Sequence, residues 1–479
     1  MASKFGLIFL KSTNIMIKLT INTQNNRLMA FLFWIVVLTR AILNALIPLM
    51  DKTEARYAEI ARIMAETQNW IILQIDYGIP FWAKPPLSSW SSALSISLFE
   101  DSAFFVRLPY LIVCVLIGLW IGRFIKKYNH SHYFPGIILL CIPEFYIHAG
   151  VVSTDVFLML STTVTMLSFW KMMKEKSVCY WSYLFFIGLG LGLLAKGPIV
   201  GLLTLPSIFL WCLLQKKLIS AIKKIPWFSG IFLMLIIALP WYVLVEIKTP
   251  GFINYFIVGE HFNRFFNSEW VGDKYGFPKQ QPFGIVWGFL ISFCLPWSVF
   301  LIRDFWKKIK TIKNDSWGLY LWFWILWTPL FFTTSTSLIH PYILPITIPI
   351  ALWIVHVWKD TKNQQLFLKI SLGIPLMILL IYSSGITAPI FKNNTDKYLI
   401  IQSKDKPVYA LNKKTYSSQF YSKGKITVID SLELKELIDN EVLFSVVIDH
   451  KFWHSLGPEI KKSLQIKAAH NKRAVYRSY

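Results

Sequence analysis

Long apolar segments alternate with short charged segments over most of the chain. About eleven of the apolar segments approach or exceed the length that crosses about 30 Å of hydrocarbon. They occupy residues 28–49, 104–124, 133–148, 151–170, 180–195, 198–214, 226–245, 283–302, 317–332, 338–357 and 366–386. We therefore predict an all-α polytopic membrane protein with about eleven transmembrane helices in residues 28–386.

Clusters of Lys and Arg mark every second connection between the apolar segments. They lie before the first segment and after the second, fourth, sixth, eighth and tenth segments. Because cationic connections stay on the cytoplasmic side, residues 1–27 are predicted to be a cytoplasmic tail. The loops 51–103 and 246–282 and residues 387–479 are then predicted to be periplasmic. This alternation requires residues 87–99 to form a juxtamembrane helix and not a further span.

Composition supports a membrane protein and argues against several other classes. Hydrophobic residues make up 55% of the 479 residues, and charged residues make up only 16%. The net charge of +23 could indicate nucleic-acid binding, but Lys and Arg form short clusters without a basic stripe or a nucleic-acid motif. The five cysteines lie in or beside apolar segments without the spacing of a metal site, so we predict packed thiols.

Residues 51–90 form a densely charged and aromatic-rich interval directly after the first apolar segment. Apolar residues recur at helical spacing from Tyr57 to Met64, which predicts an amphipathic helix with a charged opposite face. Asp51 and Glu54 are about one turn apart, so we expect their carboxylates to face the same space. The alternative is that these charges only solvate a surface helix.

Four further features have both a structural and a functional interpretation. Arg40 lies inside the first apolar segment, where it could serve a buried ion pair or a substrate. Arg107 lies near a membrane edge, where snorkelling explains it. Asp155 lies in the first turn of a predicted helix, where capping explains it as well as catalysis does. Glu260 and Arg264 are i,i+4 neighbours, and their simplest interpretation is a local salt bridge.

Several motifs occur in the order that is typical of one family of membrane enzymes. In the first external loop they are Glu54-Ala55-Arg56-Tyr57, Asn69-Trp70 and Lys84-Pro85-Pro86. Further along the chain they are Lys196-Gly197-Pro198, Glu260-His261-Phe262-Asn263-Arg264 and Leu295-Pro296-Trp297. Together they resemble the aminoarabinose lipid A transferase and protein mannosyltransferase-like family. Its members are GT-C glycosyltransferases that use polyprenyl-phosphate sugars.

The resemblance implies an active site that is shared between the external loops. Breaking the C1–O bond of a polyprenyl-phosphate sugar builds negative charge on the phosphate, and the predicted phosphate-binding cations are Lys84 and Arg264. The predicted catalytic carboxylates are Asp51, Glu54 and Asp155. The predicted possible substrate contacts are Arg56, Tyr57, Lys196, His261 and Tyr342. This chemistry requires no metal or other cofactor, although a divalent ion in the acidic loop stays an open alternative.

The chain departs from the aminoarabinose transferases at three places. Thr53 stands where those enzymes carry an Asp, and Ala83 replaces an acidic residue before the Lys. The Lys that is usual before Pro341 and Tyr342 is missing, and only His340 offers a potential cation there. These differences leave Asp51 as the first choice and Glu54 as the second for the principal carboxylate. They also suggest a different sugar or acceptor.

We therefore predict a multi-pass enzyme of the inner membrane whose active site faces the periplasm. It would transfer one sugar from undecaprenyl phosphate to lipid A or another envelope glycolipid, in a single displacement with inversion at C1. One alternative is a protein O-glycosyltransferase of the same class, and another is a non-enzymatic flippase or transporter of lipid carriers. Membrane lipids are expected partners, and nucleic acid is not.

The composition turns polar after residue 386. Segments with β-strand patterns at 408–411, 426–429, 444–448 and 474–476 and an amphipathic helix at 431–438 predict a small α/β domain in residues 387–479. This domain carries no catalytic motif, so the sequence leaves its role open.

Overall fold

The computed structural model describes residues 20–125, 128–263, 272, 274–275, 281–335, 337–360, 363–403 and 406–479. Most of these residues are helical, and a five-stranded sheet lies near the C-terminal end. The α-helices of the apolar part are α1 (Asn26–Leu46), α2 (Thr53–Thr67), α3 (Leu87–Leu98), α4 (Ala103–Ile121), α5 (Phe134–Leu140), α6 (Pro143–His148), α7 (Thr154–Met172), α8 (Tyr180–Lys196), α9 (Ile199–Leu214), α10 (Leu218–Lys224), α11 (Trp227–Lys248), α12 (Ile285–Phe293), α13 (Trp297–Lys308), α14 (Ser316–Phe332), α15 (Thr347–His356) and α16 (Gln364–Ser383).

Four helices in the described part of the chain are long and apolar enough to cross a membrane: α1, α4 with its 3₁₀ extension, α11 and α16. The pair α12 and α13 bends by 112° and makes a fifth candidate if the two helices form one span. Two other predicted spans are interrupted. Residues 133–148 form the two short helices α5 and α6, and residues 338–357 begin with a 3₁₀ helix, His340–Ile346, before α15. Proline accounts for these breaks because it lacks an N–H. Pro143 lies in the first turn of α6, and Pro345 lies in the 3₁₀ helix directly before α15.

Helix α7 is buried along almost its whole length and forms the centre of the helical part. Four of its hydroxyl side chains donate hydrogen bonds to carbonyls of the preceding turn, which satisfies these four in an apolar environment. Helix α8 approaches α7 closely because Gly188 has no side chain. A Cβ at that position would lie 2.4 Å from the Thr165 hydroxyl oxygen. The close packing of α7 and α8 also sets the positions of their ends. Two candidate site residues, Asp155 and Lys196, come from these ends.

Helix α2 is buried on most sides, so the alternative in which its charges only solvate a surface helix is wrong. Glu59 and Arg62 lie on that face, and they form a buried ion pair with an N···O distance of 2.7 Å. The hairpin of β1 (Gln74–Asp76) and β2 (Ile79–Pro80) follows α2, and the Arg62 guanidinium donates to the Tyr77 hydroxyl in its turn. Gly424, from the far end of the chain, lies over the same guanidinium. The charged face is therefore covered by another part of the protein.

The part that covers it is the C-terminal domain, defined here as α17 through β7. Its elements are α17 (Ala388–Asn393), α18 (Lys397–Ile401), β3 (Val408–Leu411), α19 (Tyr416–Tyr421), β4 (Thr427–Ile429), α20 (Ser431–Asp439), β5 (Ser445–Asp449), α21 (His450–Ser455), α22 (Pro458–Lys462), β6 (Leu464–Ala469) and β7 (Arg473–Ser478). The strand order is β4-β3-β5-β7-β6, with the first three strands parallel and β7 antiparallel to both neighbours.

The predicted α/β domain is confirmed, and four of its strands were predicted. Alternate residues of β5 face two separate cores, with Val446 and Ile448 on one side and Val447 on the other. The edge strand β6 was not predicted, although Leu464, Ile466 and Ala468 alternate with polar residues in the pattern of a strand.

Candidate active site

One cavity of about 1010 Å³ lies between the ends of the helices, the external loops and the C-terminal domain. Seven of the predicted site residues line it: Asp51, Arg56, Tyr57, Lys84, Asp155, Lys196 and Tyr342. Glu54 and His261 are not among its lining residues. Arg264, the second predicted phosphate cation, lies outside the described residues. Side chains from distant parts of the sequence thus share one space.

Lys84 joins the first external loop to the second. Its Nζ donates to the Glu260 carboxylate at 2.7 Å and to the Ala83 carbonyl at 2.6 Å. The Glu260 side chain is buried, whereas the Lys84 side chain keeps 19% of its surface exposed toward the cavity. A cation is therefore held in place by one buried carboxylate and still has a free side for an anionic ligand.

A second lysine and carboxylate pair lies in the same cavity. The Lys196 Nζ donates to the Asp155 carboxylate at 2.5 Å, and it lies 4.2 Å from the centre of the Tyr342 ring. Asp155 lies in the first turn of α7 and Lys196 is the last residue of α8. The close packing of these two helices therefore sets the distance between the charges. The Asp155 carboxylate is thus an ion-pair partner at the cavity wall, which goes beyond local capping of α7.

The conformation of Gly197 explains why a glycine follows Lys196 in the Lys-Gly-Pro motif at the end of α8. Its φ of +82° is a conformation that residues with a Cβ rarely adopt. A Cβ there would also lie 2.7 Å from the Phe256 ring and 3.1 Å from the His261 Nε2 atom. The glycine thus lets the second external loop pack directly on the end of α8, beside Lys196.

We expect Gly197→Ala to destabilise the protein and to lower its activity. The added methyl group requires both a strained φ and a shift of Phe256, so the free energy of unfolding should fall by about 2–4 kcal/mol. Thermal unfolding in detergent measures this loss. Gly201→Ala is the matched control, because Gly201 is helical and a Cβ there meets only the Leu205 side chain at 3.7 Å. Equal melting temperatures for the two variants would contradict this account of the motif.

His261 supports the site without lining the cavity. It lies in the π-helix Asn254–Asn263, where its Nδ1 atom is 2.8 Å from the Phe256 carbonyl oxygen. Its Nε2 atom is 3.3 Å from the Lys196 carbonyl oxygen. The imidazole therefore ties the second external loop to the residue that carries the Lys196 ammonium.

Asp51 and Glu54 do not face a common space, which corrects the expectation from their spacing. Helix α2 begins at Thr53, so Asp51 precedes the helix and helical spacing does not apply to it. Both Asp51 oxygens accept hydrogen bonds from Ser417 of the C-terminal domain. Glu54 points to the opposite side, toward α4.

Glu54 forms a buried ion pair with Arg107. The guanidinium donates from Nε and Nη2 to the two carboxylate oxygens at 2.8 Å each, and both side chains are buried. The remaining guanidinium protons reach the carbonyls of Asn44, Ile47 and Pro48. The snorkelling interpretation of Arg107 is therefore wrong. This geometry suits a structural role for the pair, which fastens α1, α2 and α4 together.

The other predicted cations are also fixed by the fold. Arg56 lines the cavity, donates to the Tyr275 carbonyl at 2.6 Å and lies 5.4 Å from the Phe81 ring centre. Arg40 donates to the Gly150 carbonyl at 2.9 Å and is not among the cavity residues. Arg40 therefore fits a structural role between α1 and the segment before α7.

Sequence reasoning missed the contribution of the C-terminal domain to the cavity. Four of its cations line the wall: Lys413, Lys414, Lys472 and Arg473. In total, nine Lys and Arg residues and five Asp residues line the cavity, so its lining is net positive. No motif marks these lysines, because their common position arises only when the domain packs over the external loops.

A cluster of Glu144, His148 and His340 could hold a divalent ion, since its ligand atoms lie within 4.8 Å of one another. His340 Nδ1 lies 2.9 Å from the buried Glu144 carboxylate. However, His148 Nδ1 also lies 2.9 Å from the Glu144 backbone carbonyl oxygen, which suits a protonated nitrogen and not a metal ligand. Hydrogen bonding thus accounts for the cluster.

Residues 27–256 match the family described as Dolichyl-phosphate-mannose-protein mannosyltransferase. A relative from Wigglesworthia glossinidia brevipalpis, named Undecaprenyl phosphate-alpha-4-amino-4-deoxy-L-arabinose arabinosyl transferase, is 30% identical over 73% of this chain and 63% of its own length. The protein of that name from Aeromonas hydrophila is 28% identical over 64% of this chain and 55% of its own length.

A solved structure has the same fold. The crystal structure of ArnT from Cupriavidus metallidurans bound to undecaprenyl phosphate superposes with a TM-score of 0.76 at 16% identity, covering 95% of this chain and 98% of that one. The chain spans less than two thirds of the length of the two curated relatives above. Residues 27–256 are thus similar to the Dolichyl-phosphate-mannose-protein mannosyltransferase family, and the family resemblance predicted from the motifs is confirmed.

Proposed function

We propose that the protein is a membrane glycosyltransferase that transfers one sugar from undecaprenyl phosphate to lipid A. The observation that carries this proposal is the cavity, in which two lysines from different external segments are each held by a carboxylate. The names of the relatives support undecaprenyl phosphate-4-amino-4-deoxy-L-arabinose as the donor to test first. The departures at Thr53, Ala83 and His340 leave a related sugar or another envelope glycolipid as outcomes of that test.

The two lysines suit a departing phosphate. When the C1–O bond breaks, the electron pair stays on the phosphate oxygen and the sugar ring becomes positively charged. Lys84 and Lys196 are ammonium groups already oriented by Glu260 and Asp155, so they require little rearrangement to stabilise that charge. Arg264, from the same loop as Glu260, is proposed to complete the phosphate site.

Asp51 is proposed to act on the other side of the reaction. Its carboxylate lines the cavity and can stabilise the positive ring or take a proton from an acceptor hydroxyl. A lipid A phosphate is already a nucleophile and needs only positioning. In either case the acceptor attacks the face opposite the leaving phosphate, so a single displacement inverts the configuration at C1. No metal is needed for this sequence of steps.

The positive wall of the C-terminal domain supports an anionic acceptor. Lys413 and Lys472 are exposed beside the cavity, in addition to the lysines that face the proposed donor phosphate. Lipid A carries phosphate groups, and lysine is a suitable point charge for phosphate. A protein hydroxyl acceptor would gain nothing from these charges, so the wall favours the glycolipid over the protein acceptor.

We also propose that the chain crosses the inner membrane about eleven times and that the cavity faces the periplasm. The residues that line the cavity come from segments that the alternation of basic clusters assigns to the periplasmic side, or from the outer ends of the predicted spans 151–170 and 338–357. Undecaprenyl phosphate and lipid A are both membrane-bound, and a cavity at the membrane surface gives access to both.

The decisive experiment offers purified protein the two acceptor classes side by side. Undecaprenyl phosphate-4-amino-4-deoxy-L-arabinose is the donor, with lipid A in one reaction and an unstructured Ser- and Thr-rich protein in the other. We expect mass spectrometry to show one sugar on lipid A and none on the protein, and proton NMR to show the inverted anomer. Sugar on the protein alone would favour the O-glycosyltransferase. No transfer from any polyprenyl-phosphate sugar in detergent would favour a flippase.

A further inference from the structure

The C-terminal domain reaches into the candidate active site through α19. Its residue Ser417 donates to Asp51 from the backbone N–H at 3.0 Å and also from the side-chain hydroxyl. The two donors bind different oxygens of the carboxylate, so they fix both its position and its rotation. Ser417 is separated from Asp51 by 366 positions in the sequence.

Ser417 is itself held from several directions. It lies in the first turn of α19, where backbone N–H groups have no acceptor within the helix, so its N–H is available to Asp51. Its hydroxyl oxygen accepts the Asp396 backbone N–H at 2.8 Å. The residue is fully buried, which excludes water from the contact and strengthens it.

The support extends through Asp396 to the sheet. The Asp396 carboxylate accepts from Thr415, the N-cap of α19, at 2.6 Å and from Arg473 of β7 at 2.9 Å. The Asp51 backbone N–H in turn donates to the Asn394 carbonyl at 2.8 Å. Asp51 is therefore bound to the C-terminal domain by its main chain and by its side chain.

From this geometry we infer that Ser417 is a positioning residue for Asp51, and that the C-terminal domain completes the active site. The inference rests on the proposed function, because it assumes that Asp51 acts as an ionised carboxylate during sugar transfer. It assigns a role to a domain in which no catalytic motif occurs.

The protonation of Asp51 gives this role a measurable signature. Burial raises the pKa of Asp51 to about 6, while the hydrogen bonds from Ser417 oppose that rise. The charged and titratable groups around the contact are Lys52, Arg56, Asp76, Asp396, Tyr416, His470 and Arg473. Because the ionised form is the active one, activity should fall as the pH drops through about 6. Loss of the Ser417 hydroxyl should raise the pKa further and move this fall to higher pH.

The test compares pH profiles of kcat for sugar transfer from undecaprenyl phosphate-4-amino-4-deoxy-L-arabinose to lipid A. In Ser417→Ala the backbone donor remains, so we expect the acid limb to rise by about one pH unit and kcat at pH 6 to fall about fivefold. The donor KM should stay within about twofold, because Ser417 does not contact the proposed phosphate site. Ser417→Thr keeps a hydroxyl and should restore the limb.

Ser422→Ala is the matched control. Ser422 follows the same helix, and within the described residues its hydroxyl bonds to the Gln419 carbonyl and the Ile426 N–H, so its removal should leave the profile unchanged. An acid limb in Ser417→Ala at the wild-type pH would overturn the inference, even if the variant were less stable. Asp51→Asn separates the role of Ser417 from the proposed function. If Asp51→Asn is inactive while Ser417→Ala behaves as wild type, only the role of Ser417 fails. If the wild-type protein transfers no sugar, the proposed function fails.

Discussion

Lys84→Met is expected to lower kcat for the polyprenyl-phosphate donor by about 10²–10³, which is the typical effect of removing one group that stabilises developing negative charge. Methionine retains the length and the apolar stem of the side chain while it removes the ammonium group. The rate of sugar transfer at saturating donor measures the effect. Arg264→Ala is expected to have an effect of similar size, from the sequence motif alone.

The Lys84 prediction needs a control, because Lys84 also neutralises the buried Glu260 carboxylate. Glu260→Gln combined with Lys84→Met removes both charges and avoids an unbalanced buried carboxylate. If Lys84 binds the donor phosphate, the double variant stays as slow as the single variant. Recovery of the rate in the double variant would assign Lys84 a purely structural role, and so would a near-normal rate in Lys84→Met.

Glu54→Gln is expected to destabilise the protein more than Asp51→Asn does. It leaves the buried Arg107 guanidinium without its charged partner, and breaking a buried ion pair typically costs about 3–5 kcal/mol. Thermal unfolding of the purified protein in detergent measures the loss. The double variant Glu54→Gln with Arg107→Met should recover part of it, because no unbalanced charge remains.

Asp51→Asn should behave in the opposite way. We expect a fall in turnover of about 10²–10⁴ with a small change in melting temperature, since the amide can still accept a hydrogen bond from Ser417. The comparison requires turnover per mole of folded protein. If Glu54→Gln were stable and slower than Asp51→Asn, Glu54 would be the principal carboxylate.

These two acids show where sequence reasoning succeeded and where it stopped. The sequence pointed to the short stretch 51–54, in which Asp51 lines the cavity and Glu54 belongs to the helical core. It did not separate them, because spacing along a helix says nothing about a residue that precedes the helix. Glu54 was separated from Asp51 only by its partner Arg107, which lies 53 positions away in the sequence.

Other features of the protein could be predicted from local sequence patterns. The alternation of apolar segments and basic clusters predicted a helical membrane protein, because a lipid environment requires long apolar helices and retains cationic loops on one side. The β-patterned segments of the polar tail predicted most of its sheet. Lys84, Asp155, Lys196 and Tyr342 were selected from motifs, and all four line the cavity.

The sequence by itself determined the class of the protein, its membrane character and the residue types of its site, since these follow from hydropathy and from motifs of neighbouring residues. Only the tertiary structure decided which side chains meet. It paired Lys84 with Glu260, Glu54 with Arg107 and Asp51 with Ser417, across 176, 53 and 366 positions of the chain. Contacts at such separations depend on the packing of whole elements, so short-range patterns do not contain them.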